Sequence, residues 1–133
     1  MKKILVIEDD KNIALALVIR LRSQGYEVGI AYDAVTGLSQ TARFKPDLIL
    51  LDISMPGGNG LLVAERVRAL APVAATPIIF ITASKNPAFR TKALELAAAD
   101  FFEKPYEAEE LLASIRRILG GEEDVARPHI QPG

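Results

Sequence analysis

The chain has 133 residues, is 50% apolar and 25% charged, and carries a formal net charge of −1. That fits one globular domain, and it supplies neither the basic surface of a nucleic-acid binder nor an acidic disordered block. There is no cysteine, which excludes disulfides and thiolate metal sites. The Met-Lys-Lys start leads into only four apolar residues before acids follow, too short for a secretory core or a membrane span, so the cytoplasm is the expected location and no membrane partner is expected.

Along the chain, short apolar runs alternate with helical patterns. Residues 4–7, 48–51 and 78–81 are continuous and rich in Ile, Leu and Val, as in strands buried on both faces of a parallel sheet. Residues 28–31 and 101–102 read as shorter strands nearer the edges. A first helix carries Ile13, Leu17 and Leu21 at four-residue spacing beside Ala14 and Val18, with Gly25 as its stop. A second spans about 34–44 behind Asp33 as N-cap. A third spans about 61–70 and ends before Pro72; a fourth spans about 87–97. The last presents Leu111, Leu112, Ile115, Ile118 and Leu119 before Gly120 and Gly121. Residues 120–133 have little apolar periodicity and read as a flexible tail or the start of a linker, leaving 1–119 as the domain.

This order predicts an α/β fold: a flavodoxin-like, doubly wound, five-stranded parallel sheet in the order 2-1-3-4-5 with five helices. In such sheets ligands bind beyond the carboxyl ends of the strands. There the sequence places Glu8, Asp9 and Asp10 after strand one, Asp52 at the end of strand three, Thr82 after strand four, and Lys104 with Pro105 after strand five. In the predicted order these strands are neighbours, so the groups converge. Clustered carboxylates repel unless a cation joins them, and hard oxygen donors favour Mg²⁺ over zinc. A lysine neutralises or binds an anion, a threonine hydroxyl donates to a phosphoryl oxygen, and an Asp carboxylate can accept a phosphoryl group. Together they make a phosphoryl-transfer site, where catalysis is positioning and charge neutralisation.

At this point the chain closely resembles the receiver domains of bacterial response regulators. The resemblance rests on ILVIEDD at 4–10, PDLILLDISMP at 46–56 with Gly60 beyond, PIIFITA at 77–83 and DFFEKP at 100–105, and covers about residues 2–119. It implies that Asp52 is the phosphoacceptor, that Glu8 and Asp9 are the metal-binding acid pair, and that the Ser54 backbone carbonyl is a further ligand of Mg²⁺. Thr82 would be the switch hydroxyl, Lys104 would contact the phosphoryl group, Phe101 would be the switch aromatic, and the bond before Pro105 would be cis. It further implies a sensor histidine kinase or phosphotransfer protein as donor, docking near the first helix. The relay would run through a face built by the fourth helix, fifth strand and fifth helix, around Lys92, Glu95, Phe101 and Glu110. The domain would catalyse only its own phosphorylation and dephosphorylation, without being a turnover enzyme. Its downstream effector is not legible.

Departures and plainer readings stand beside these. Glu8 replaces the commoner Asp, and Ala34 and Ala97 stand where glycine is common; a positive φ at either costs about 1 kcal/mol. Asp10 caps the first helix on the plain reading, Phe101 is core, and Gly57, Gly58 and Gly60 form a loop without the Walker pattern. His129, the sole histidine, lies in the tail and has no expected catalytic or metal role. Two rival functions stand beside the main one: an interaction module with vestigial phosphorylation, and a haloacid-dehalogenase-type hydrolase. The latter needs a second acid two residues after its nucleophile, where this chain has Ser54.

Overall fold

A computed structural model describes residues 1–55, 60–120 and 129. Five strands alternate with five helices: β1 (Lys3–Ile7), α1 (Lys11–Ser23), β2 (Glu27–Ala31), α2 (Ala34–Phe44), β3 (Leu48–Asp52), α3 (Gly60–Ala69), β4 (Ile78–Thr82), α4 (Pro87–Glu95), β5 (Asp100–Glu103) and α5 (Ala108–Ile118). A short 3-10 turn, Ala71–Val73, follows α3 around Pro72. The strands form one parallel sheet in the order β2-β1-β3-β4-β5, as the alternating pattern predicts.

The strand runs are continuous in sequence because both faces are covered. On one face Leu5, Ile7, Ile49, Leu51, Phe80 and Phe101 pack with α2, α3 and α4 residues such as Val63, Val67 and Ala93. On the other Ile4, Val6, Leu50, Ile81 and Phe102 pack with Val18 and Leu21 of α1 and Leu111 and Ile115 of α5. Each strand alternates between the two layers, with period two.

Caps explain where the helices begin. Asp10 accepts from the backbone N–H of Asn12 and Ile13 at 2.9 and 3.1 Å, so the third acid after β1 is the N-cap of α1. Asp33 caps α2 through Thr36 at 2.7 Å. Gly25, at φ 91°, follows the end of α1 in the left-handed conformation. Ala34 is an ordinary first-turn residue, so its lack of glycine costs nothing. Ala97 does adopt φ 60°, and α4 ends earlier than its pattern suggests, at Glu95. Arg68 of α3 compensates there: its guanidinium donates to the carbonyls of Leu96, Ala74 and Thr76 at 2.8, 3.1 and 2.6 Å. The expected loop residues Pro56, Gly57 and Gly58 lie outside the described residues, as do Gly121 and the tail apart from His129.

Candidate functional site

Four strands deliver the polar cluster, each at its carboxyl end. β1 ends at Ile7, and the next residue, Glu8, is held by its N–H to the Ala31 carbonyl at 3.0 Å. Glu8 is almost wholly buried, while Asp9 beside it is exposed. β3 ends on Asp52, also buried. β4 ends on Thr82, which has no exposed surface. Beyond β5, Lys104 is fixed by its N–H to the Thr82 carbonyl at 2.8 Å, and the Lys104–Pro105 peptide is cis. Glu8, Asp9 and Asp52 each present a carboxylate oxygen within 4.8 Å of the others.

Lys104 ties two of the acids together. Its Nζ lies 3.0 Å from Glu8 Oε1 and 3.0 Å from Asp52 Oδ2. Asp52 Oδ1 accepts from Ser54 twice, from the backbone N–H at 2.8 Å and from Oγ at 2.6 Å. Glu8 Oε2 accepts from the Asp10 N–H at 3.1 Å. Ser54 Oγ in turn accepts from the Ala83 N–H at 3.3 Å, which links the end of β3 to the end of β4. Gly60 closes the floor. A Cβ there would stand 2.4 Å from Ile53 Cα and 2.8 Å from the Asp52 carbonyl oxygen, so α3 starts against the backbone of the site only because residue 60 is glycine.

The two buried acids are pushed apart in acidity. Burial raises the pKa of Glu8 to about 7, reinforced by the neighbouring Asp52 carboxyl and opposed by Lys104. Burial also raises Asp52, but the Ser54 hydroxyl and N–H, Glu8 and Lys104 outweigh it, and the carboxyl is held below its ordinary range. Lys104 loses solvation by burial, yet its two acid partners raise it above its ordinary value. The result is an ionised Asp52 beside a Glu8 that holds a proton near neutrality.

The donor set suits a hard divalent cation. It is all oxygen, with no cysteine or histidine among the described residues at the site, and the three acids outnumber the single lysine. A cation there would discharge the proton from Glu8 and relieve the repulsion between Asp9 and Asp52.

Some expected site residues sit close to the cluster without contacting it. Thr82 Oγ1 accepts from the Ser84 N–H at 3.0 Å. Phe101, read from the sequence as either switch aromatic or core, is buried, with the Arg90 guanidinium 4.7 Å above its ring. The Ser54 hydroxyl is a contact the sequence reading missed, having assigned that residue only a carbonyl role. Its position two residues after Asp52, where an Asx-type turn can form, was the available signal.

Comparison with known proteins adds to this geometry. Residues 4–116 match the family model described as response regulator receiver domain. The chain is 44% identical over 114 residues to the transcriptional regulatory protein DltR of Streptococcus agalactiae, covering 86% of this chain and 50% of that protein. It is 40% identical over 119 residues to the response regulator ArlR of Staphylococcus saprophyticus, covering 90% and 53%. The chain therefore spans about half the length of the curated relatives it matches. Its fold is similar to the crystal structure of a CheY-like response regulator receiver domain protein from Methanospirillum hungatei, with TM-score 0.84, 29% identity and coverage of 91% and 95%. It is also similar to the chemotaxis protein CheY4 of Vibrio cholerae, with TM-score 0.82, 28% identity and coverage of 89% and 98%.

Proposed function

The chain belongs to the response regulator receiver domain family, and on that premise we propose that it is a phosphoacceptor, taking a phosphoryl group onto Asp52 from a phosphohistidine donor. The observation that carries this reading is the geometry around Asp52: a buried carboxylate that accepts from Ser54 and Lys104, among acids that outnumber the cation. An ionised carboxylate is the nucleophilic form. It attacks phosphorus in line, the phosphorus–nitrogen bond breaks, and the electron pair leaves with the imidazole.

Glu8, Asp9 and Asp52, with the Ser54 carbonyl, would hold Mg²⁺. That ion would supply charge neutralisation for the phosphoryl oxygens. Lys104 is placed to exchange its two carboxylate contacts for a phosphoryl oxygen. The Thr82 hydroxyl, released from the Ser84 N–H, donates to another. Thr82 and Phe101 lie on the same face of adjacent strands, since Phe80 pairs with Phe101 and Thr82 lies two residues beyond Phe80. A shift of Thr82 therefore changes the packing above Phe101 and, through Arg90, the face of α4, β5 and α5. The partner supplying the phosphoryl group is a sensor histidine kinase or phosphotransfer protein. The domain turns over only its own phosphoaspartate. Among the described residues no helix is long and apolar enough to cross a membrane, which agrees with a cytoplasmic setting.

Intact-mass measurement after incubation with a small phosphodonor and Mg²⁺ tests the proposal. The parent gains one phosphoryl group and Asp52→Asn gains none. Full-stoichiometry labelling of Asp52→Asn would overturn it, and no uptake by the parent would favour a module whose phosphorylation is vestigial.

A further inference from the structure

β5 is one of the two edge strands of the sheet, and a second polar centre lies along it, away from the acid cluster. Its floor is Asp100, a carboxylate with no solvent exposure. Asp100 accepts from the Phe101 N–H at 2.8 Å, from Ser114 Oγ at 2.6 Å and from Arg117 at 3.3 Å. Next along β5 lies a cavity of about 420 Å³, lined by Arg90 of α4, Phe102 of β5, Glu110 of α5 and His129.

His129 forms one wall of this cavity and is contacted by groups from three elements. Its ring lies 4.3 Å from that of Phe102, centroid to centroid. Nδ1 is 2.9 Å from Asp100 Oδ2, and Nε2 is 3.4 Å from Glu110 Oε2. Its backbone N–H donates to Asp100 Oδ1, and its carbonyl accepts from Arg90 at 3.0 Å. An imidazolium can donate to both carboxylates, whereas a neutral ring can donate to only one.

We propose that this slot on the α4–β5–α5 face is a regulatory seat for an imidazole, and that its occupant is the chain's own His129. Backbone and side chain are both engaged, by groups from three elements. The seat also reaches the core. Arg90 holds the His129 carbonyl, approaches Glu103 at 3.8 Å and stacks over Phe101. An occupied slot therefore pins the cation that covers Phe101 and occludes the surface an output partner would use. If Asp52 is the phosphoacceptor, as the function proposed above has it, then movement of Thr82 and Phe101 loosens Arg90 and frees His129. Seat occupancy and phosphorylation then oppose each other, by as much as the seat discriminates between the two states.

Nuclear magnetic resonance on the full chain tests this directly, because His129 is the only histidine and its ring signals are unambiguous. In the unphosphorylated protein the His129 ring shows nuclear Overhauser contacts to the Phe102 ring and an upfield ring-current displacement. Glu110→Gln and Arg90→Ala, at surface positions, each move the His129 signals toward those of a free peptide. His129→Ala shifts the amides of Phe102 and Glu110 while leaving the β1 and β3 amides in place. Free-peptide ring signals in the parent overturn the seat. Contacts that grow with protein concentration overturn it too, because the occupant is then a second copy. A phosphorylated sample, its uptake verified by intact mass, loses the Phe102 contacts. Uptake with the contacts retained overturns the coupling alone. No uptake overturns the acceptor reading and the coupling with it, while the seat is decided by the unphosphorylated sample.

Discussion

Asp52 and Asp100 are both buried carboxylates of one sheet, and their surroundings differ in kind. Asp100, at the start of β5, is enclosed by donors: an adjacent N–H, the Ser114 hydroxyl, Arg117 and His129. Asp52, at the end of β3, accepts from Ser54 twice and from Lys104, but it shares that lysine with Glu8 and lies within reach of the exposed Asp9. A buried charge surrounded by donors is structural, since removing it strands its partners. A buried charge among other acids is poised, since anything that neutralises the cluster is welcome there. The same side chain thus serves two roles according to whether other acids compete for its donors.

The sharpest way to break this comparison is to remove each carboxylate and measure stability by urea denaturation. Asp100→Ala should cost about 2–4 kcal/mol, because Ser114, Arg117 and the Phe101 N–H lose their acceptor together. Asp52→Asn should be neutral or stabilising, because it lowers the repulsion within the acid cluster. Equal losses would mean that the two sites are not different in kind.

Thr82 sharpens the comparison by asking how the poised site speaks to the rest of the fold. One charge-assisted hydrogen bond from its hydroxyl to the phosphoryl group is worth about 1.5–3 kcal/mol, which shifts a two-state equilibrium roughly ten- to a hundredfold. Thr82→Ala should still accept phosphate, yet show much smaller phosphorylation-induced shifts at Phe101 and along α4. Undiminished shifts in that variant would remove the hydroxyl from the coupling.

A smaller effect concerns Glu8 and pH. Its folded pKa is raised from 4.5 to about 7, so the protonated form favours the folded state. That contribution is complete below about pH 4.5 and is lost as pH rises through about 7. Without divalent metal, Glu8→Gln should therefore gain stability relative to the parent across this window, by about 1–2 kcal/mol while Lys104 still compensates the ionised acid. A gap that stays constant between pH 4 and 8, read from chemical denaturation at each pH, would contradict the assignment.

The poised site was legible in the sequence, and the donor-rich one was not. Glu8, Asp9, Asp52, Thr82 and Lys104 each follow an apolar run, and the rule that parallel strands present their carboxyl ends to one edge brings them together before any side chain is placed. Asp100 also borders a strand, but its partners come from separate elements, and nothing local in the sequence pairs it with His129 beyond α5. Arg68 was missed for the same reason: it compensates Ala97 across a gap of several elements, so periodicity could flag a residue where glycine is usual but could not find the cation that makes alanine tolerable. Phe101 could be read as core or as switch, because burial and rotamer are decided by α4, whose apolar pattern is weak. Local pattern gives elements and edges; long-range polar pairs need the tertiary structure.

The central claim is that Asp52 itself becomes phosphorylated, and the covalent bond can be located. An acyl phosphate is reduced by borohydride to the alcohol, which converts a phosphorylated aspartate to homoserine, whereas an unmodified carboxylate does not react. The parent protein should be incubated with a small phosphodonor and Mg²⁺, reduced, digested and sequenced by mass spectrometry. Homoserine at position 52, dependent on the phosphodonor, is the predicted result. Homoserine at position 9 or 10 with position 52 unchanged, or at no position despite uptake of phosphate, would contradict the account.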